Sequence, residues 1–141
     1  MSDSKANSKV VLITGAGKRV GAAIAQHCHQ LGMRLAIHYR ESVQQAADLC
    51  ARFNQQRPDS AIALGADLRD TVKLEGLIEH IISKWGQLDV LINNASSFYP
   101  EPFAKVTSSV WEDVMASNLK APFFLAQSAA RYLKQQKGCI I

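Results

Sequence analysis

The chain lacks any apolar stretch near the roughly 18 to 20 uninterrupted residues that a bilayer-spanning helix needs, so it reads as a non-membrane protein. It also lacks the apolar segment of a secretory signal, because Met1–Lys9 is polar and includes Asp3. Residues 1–9 therefore read as a short flexible leader, and the protein as cytoplasmic. Cysteine is scarce: Cys28, Cys50 and Cys139 show no CxxC and no metal-like spacing. Their odd number suits a reducing compartment, and all three are expected to be buried thiols. His27-Cys28-His29 has no metal reading, since helical neighbours one and two apart point in different directions. The net charge of +4 comes from sixteen basic residues that form no run and are not interleaved with aromatics, which speaks against nucleic acid. A taste for an anionic small molecule explains the sign. No repeat, low-complexity tract or linker is present.

What is present is alternation. With 141 residues, 48% hydrophobic and 20% charged, the chain suits one soluble domain or part of one. Val10–Ile13 is a continuous apolar run, as a strand buried on both faces should be, and Val20–Leu31 has helical spacing before Gly32 stops it. Strands are expected at Leu35–Tyr39, Ala61–Leu64 and Leu88–Ile92. Helices are expected over Ser42–Gln55 and over Val72–Trp85, the latter with Leu74, Leu77, Ile78, Ile81 and Ile82 facing inward. Ser109-Val110-Trp111-Glu112 has the capping-box pattern and opens one long helix towards Gln136, with Gly138 as its stop. Cys139-Ile140-Ile141 starts a fifth strand. The pattern specifies an α/β fold with a doubly wound, Rossmann-like parallel sheet, truncated at the start of the fifth strand. Residues 10–141 read as the N-terminal part of a single dinucleotide-binding domain. In such a sheet ligands bind beyond the carboxyl ends of the strands, so Thr14–Gly21, His38–Ser42, Ala66–Leu68 and Asn93–Phe98 share one edge.

The segment Thr14-Gly15-Ala16-Gly17-Lys18-Arg19-Val20-Gly21 follows a strand and opens a helix, where a dinucleotide pyrophosphate needs close backbone and a helix N-terminus. Together with Asp67-Leu68, Asn93-Asn94-Ala95 and Ser117-Asn118-Leu119, it resembles the short-chain dehydrogenases/reductases over nearly the whole chain. The resemblance implies that Gly15 and Gly21 hold pyrophosphate, with Lys18, Arg19 and Val20 beside them. It further implies that Asp67 and Leu68 hold adenine, that Asn94 and Ala95 line the cofactor, and that Asn118 supports a proton relay as a catalytic residue.

Arg19 stands where that family ordinarily has glycine, and in this it is similar to the pteridine reductase branch. Asn93-Asn94-Ala95-Ser96-Ser97-Phe98-Tyr99-Pro100 and His38-Tyr39-Arg40-Glu41-Ser42 resemble the same branch. The likeness implies that Phe98 stacks on a pterin ring, while Ser96 and Arg19 bond cofactor phosphate and pterin heteroatoms. Other readings remain at this stage: Arg19 turned to solvent, and Phe98 as a core or lid aromatic. At the end of the second strand an acid would accept from a ribose 2′-hydroxyl, whereas Arg40 and Ser42, with His38 near them, suit a 2′-phosphate and hence NADP(H). Glu41 is a competing feature, because facing the ribose it would weaken that preference.

The family's hydride chemistry uses a tyrosine with a lysine four residues on, the lysine's charge lowering the tyrosine pKa. Tyr39, Tyr99 and Tyr132 are instead followed four places on by Val43, Phe103 and Gln136. The expectation is the N-terminal part of an NADPH-dependent reductase of pterin or dihydrofolate rings, a tetramer when complete. Two alternatives stand beside it: a reductase of another carbonyl, such as a 3-oxoacyl thioester, and a noncatalytic nucleotide-binding module.

Overall fold

The computed structural model describes residues 8–141. Its strands are β1 (Val10–Ile13), β2 (Arg34–Tyr39), β3 (Ala61–Gly65), β4 (Val90–Ile92) and β5 (Cys139–Ile140). Its α-helices are α1 (Arg19–Gln30), α2 (Val43–Gln56), α3 (Leu74–Trp85), α4 (Ser108–Met115) and α5 (Ala121–Gln135). The strands form one parallel sheet in the order β3-β2-β1-β4-β5. Strand order reverses between β1 and β4, which opens a crevice at their carboxyl ends. The apolar run of β1 is explained by its central place. Val10 and Leu12 bury against the α3 and α5 side, while Val11 and Ile13 bury against the α1 and α2 side, as a period of two dictates.

Most boundaries agree with the sequence to within a residue or two, and the departures have physical causes. The proposed leader lies mainly in residues 1–7, outside the described residues. Lys9 is already tied to the sheet, its carbonyl accepting from the Arg34 N–H at 2.9 Å. The segment 72–85 starts as a 3-10 turn, Thr71–Lys73, before α3, whose buried face is Leu74, Leu77, Ile78 and Ile81 with Ile82 packed at the margin.

The expected long fourth helix is helical throughout but carries a π-turn, Ala116–Lys120, that divides it into α4 and α5. Pro122, in the first turn of α5, has no N–H to continue the α ladder, and the Ala121 N–H reaches back five residues to the Ala116 carbonyl. The N-cap is Thr107, whose hydroxyl accepts from the Val110 N–H at 3.3 Å, two residues earlier than the Ser109 reading. The stop also differs. Lys137 takes the left-handed position (φ 52°), and Gly138 is one residue further on, its N–H bonded to the Leu133 carbonyl at 2.8 Å.

The thiols are not all buried. Cys50 is, and burial pushes it up to about 11; Cys28 is half-buried and Cys139 is exposed. His29, from the His27-Cys28-His29 stretch, is a core residue. It stacks on Phe53 at 4.3 Å and bonds the Ser60 hydroxyl at 2.8 Å. Among the described residues no helix is long and apolar enough to cross a membrane.

Candidate functional site

A cleft of about 370 Å³ opens at the carboxyl ends of β1, β2, β3 and β4, within the size range of small-molecule sites. It is lined by Gly15, Lys18, Arg19, Val20, Gly21, His38, Tyr39, Arg40, Ser42, Asp67, Leu68, Asn94, Ala95 and Ser96. The fold thus brings together every residue that the sequence marked for cofactor contact. Phe98 and Asn118 lie outside the lining.

The turn after β1 owes its shape to Thr14. This buried hydroxyl accepts from the N–H groups of Asn94 (3.0 Å) and Ala95 (2.9 Å), locking the segment after β4 against the segment after β1. The Asn94 side-chain amide donates to the carbonyls of Thr14 (3.0 Å) and Gly15 (3.2 Å). Chain packing leaves no room for a side chain at Gly21, where a Cβ would stand 2.5 Å from the Gly15 oxygen and 2.7 Å from Ala16 Cα. Gly15 is left-handed (φ 62°) and a Cβ there would lie 3.0 Å from Ala95 Cα. The glycines therefore keep backbone, not side chains, at the floor of the cleft.

Above that floor the helix ends are electrically bare. Neither α1 nor α2 has a side-chain cap or an acid in its first turn, so their positive N-terminal ends are open to an anion. Arg19 opens α1 at φ 53°, a left-handed geometry that costs a bulky residue about 1–2 kcal/mol. The same sterics explain why glycine is the easier residue at this place. Arg40 is held at 3.2 Å by Glu41, a surface pair with 45% and 80% of the side chains exposed, so the pair opens at little cost. Ser42 is the N-cap residue of α2 yet makes no side-chain cap bond.

His38 behaves differently from its sequence reading. It is 2% exposed, its Nδ1 accepts from the Gly15 N–H at 3.1 Å, and its Nε2 bonds the Ala66 carbonyl at 2.8 Å. Both nitrogens are occupied, so His38 has no donor for a phosphate. Burial lowers its pKa from the ordinary value, against the opposing influence of the Ala66 bond and Asp67.

Several cleft residues escaped the sequence reading. Arg69 grips Asp67 through Nε (3.0 Å) and a terminal nitrogen (2.6 Å), and its other terminal nitrogen pairs with Asp113. This bonding holds the Asp67 carboxyl down at about 2. The second Asp113 oxygen accepts from the Tyr99 hydroxyl at 2.5 Å. Asn118, on the π-turn, clamps Ser97, accepting from its N–H and donating to its carbonyl, both at 2.8 Å. Phe98 sits between these two anchors with 82% of its surface exposed, which rules out the core reading. Gly17, Glu41, Ser97 and Ser117 complete the lining. Arg69, two residues after Asp67, was visible as a cation beside an acid; its partner Asp113, distant in sequence, was not.

The family model described as short chain dehydrogenase matches residues 9–141. The chain belongs to the short-chain dehydrogenase family. Pteridine reductase 1 of Leishmania tarentolae is 35% identical over 164 residues, covering 92% of this chain and 57% of the relative. The 3-oxoacyl-[acyl-carrier-protein] reductase FabG of Staphylococcus aureus (strain Mu50) is 31% identical over 135 residues, covering 95% and 54%. The short chain dehydrogenase mdpC of Emericella nidulans is 30% identical over 133 residues, covering 94% and 50%. The chain spans about half the length of these curated short-chain dehydrogenase relatives. Family membership places the chain among oxidoreductases, a family whose members use nicotinamide cofactors.

Proposed function

We propose that the cleft binds NADP(H) and that the complete protein reduces a pterin, dihydropterin or dihydrofolate ring. The observation that carries this reading is Arg19. A strained, cationic residue at a bare helix N-terminus is unfavourable twice over, and an anionic ligand against the guanidinium offsets both costs. The glycine-floored cradle and the uncapped ends of α1 and α2 fit a pyrophosphate. In this proposal Gly15, Lys18, Val20 and Gly21 hold that group, Arg40 and Ser42 take the 2′-phosphate, and Asp67 and Leu68 face adenine. Asn94, Ala95 and Ser96 line the nicotinamide side. His38 is left out of the phosphate set. When bound, the nicotinamide supplies the hydride.

Phe98 supports the pterin substrate because its ring is presented outward between two anchors, available to lie on a flat heterocycle with Arg19 and Ser96 as polar partners. The likeness to pteridine reductase 1 of Leishmania tarentolae points the same way. The FabG relative favours a second reading, a reductase of 3-oxoacyl thioesters. Asn118 belongs to the reaction in either case, as a clamp on Ser97 next to the reacting region. Trp111 on α4, Leu119 on the π-turn and Phe123 on α5 are exposed apolar residues that support the tetramer of the complete protein, and a cytoplasmic site belongs to the same proposal.

Calorimetric titration with NADP+ and NAD+, followed by a pterin analogue and an acyl thioester on the loaded chain, tests the reading. Tighter binding of NADP+, lost in Arg40→Ala, and uptake of the pterin are expected. Equal affinities in both proteins remove Arg40 from the cofactor assignment, and uptake of the thioester alone overturns the pterin.

A further inference from the structure

His38 lies buried in the wall of the cleft, with its two ring nitrogens bonded to different loops. The bonding fixes its chemical state. A backbone N–H can only donate, so Nδ1, facing Gly15, carries no proton; a carbonyl can only accept, so Nε2, facing Ala66, carries one. A single neutral tautomer thus ties the glycine turn after β1 to the loop after β3 that leads into Asp67. We propose that His38 is a positioning residue: its neutral Nε2–H imidazole pins the glycine turn, and protonation releases the turn and weakens dinucleotide binding. The second half rests on the cofactor reading above; the first does not.

Protonation at Nδ1 sets a donor against a donor. The Gly15 N–H then has no acceptor, and the turn that it fixes is the one whose backbone floors the cleft. The charged groups around the cleft are Lys18 and Arg19 on the turn, Arg40 and Glu41 after β2, and Asp67 and Arg69 after β3. Burial is the main influence on the ring and favours the neutral form, while the Ala66 bond and Asp67 favour the charged one. The segment after β4 contributes Asn94 and Ala95 to the lining, neither of which is charged. The sequence gives no hint of this role, since Gly15 and Ala66 are 23 and 28 positions away.

Nitrogen-15 NMR of the chain without cofactor reads the first half of the proposal. The expected result is an Nε2–H tautomer at neutral pH, and a Gly15 amide resonance that shifts with the midpoint of the imidazole's own titration. An Nδ1–H tautomer, or a Gly15 amide indifferent to that titration, overturns the proposal. Calorimetry from pH 8 to pH 5 reads the second half. NAD+ is the probe, because the 2′-phosphate of NADP+ itself titrates near about pH 6. Affinity for NAD+ is expected to fall towards a slope of about tenfold per pH unit below the imidazole's midpoint. His38→Asn, whose amide oxygen can accept from Gly15 without titrating, is expected to flatten that fall. Equal pH dependence in both proteins overturns the coupling to binding. If NAD+ and NADP+ fail to bind at any pH while the Gly15 amide follows the ring, the cofactor reading fails and the positioning role stands.

Discussion

Replacing Arg19 by glycine changes stability and affinity in opposite directions. At φ 53° the arginine carries about 1–2 kcal/mol of left-handed strain that glycine does not. Glycine gives back about 0.5–1 kcal/mol through the greater freedom of its unfolded chain, leaving a net gain of about 0–1.5 kcal/mol. For a chain of this size that is a rise in Tm of up to roughly 6 °C. Affinity moves the other way. A guanidinium bonded to a phosphate is worth about 1.5–3 kcal/mol, so Arg19→Gly should bind NADP+ about tenfold to a hundredfold more weakly. Thermal unfolding by circular dichroism and calorimetric titration of the same preparations read the two effects. A variant that melts lower and binds unchanged refutes both the strain and the phosphate contact.

Other outcomes follow from contacts already described. Gly21→Ala places a methyl 2.5 Å from the Gly15 oxygen and should cost about 1–3 kcal/mol, seen as a lower urea midpoint with weaker dinucleotide binding. Thr14→Val leaves the Ala95 N–H without its acceptor, at about 1–3 kcal/mol, while the Asn94 N–H keeps the Ile92 carbonyl at 3.1 Å, and should loosen the segment after β4 in hydrogen exchange. His29 and His38 both have pKa values lowered by burial from the ordinary 6.5. The unfolded chain therefore binds more protons, so stability is full above about pH 6.5 and is lost as the pH falls towards the folded-state values. A urea midpoint lower at pH 5 than at pH 7.5 is expected; a flat or rising profile contradicts it. Asp67, held near about 2, adds to acid loss only at lower pH, once the carboxylates begin to protonate.

The strand β1 was legible because it is central. A run such as Val10-Val11-Leu12-Ile13 is apolar on both faces only when both faces are covered, and that condition also implies parallel neighbours and helical crossovers. The cleft was legible for a related reason: in this fold the loops that carry chemistry all leave the same edge of the sheet. What sequence could not supply was pairing across distance. Arg69 with Asp113, Asn118 with Ser97, and His38 between Gly15 and Ala66 join residues far apart in the chain, with no local pattern to mark them. The break between α4 and α5 was within reach, since Pro122 is a plain signal that a helical ladder is interrupted. The Thr107 cap was masked by Ser109 and Glu112, which imitate the same pattern two residues out of place.

Amide shift mapping of the nitrogen-15-labelled chain titrated with NADP+ tests the central claim most directly. The expected result is saturable shifts that concentrate at Gly15, Arg19, Val20 and Gly21, with a second group at Arg40 and Ser42 that NAD+ does not reproduce. Shifts scattered over the surface, or none at the start of α1 at saturation, would contradict the assignment of this cleft to a phosphorylated dinucleotide.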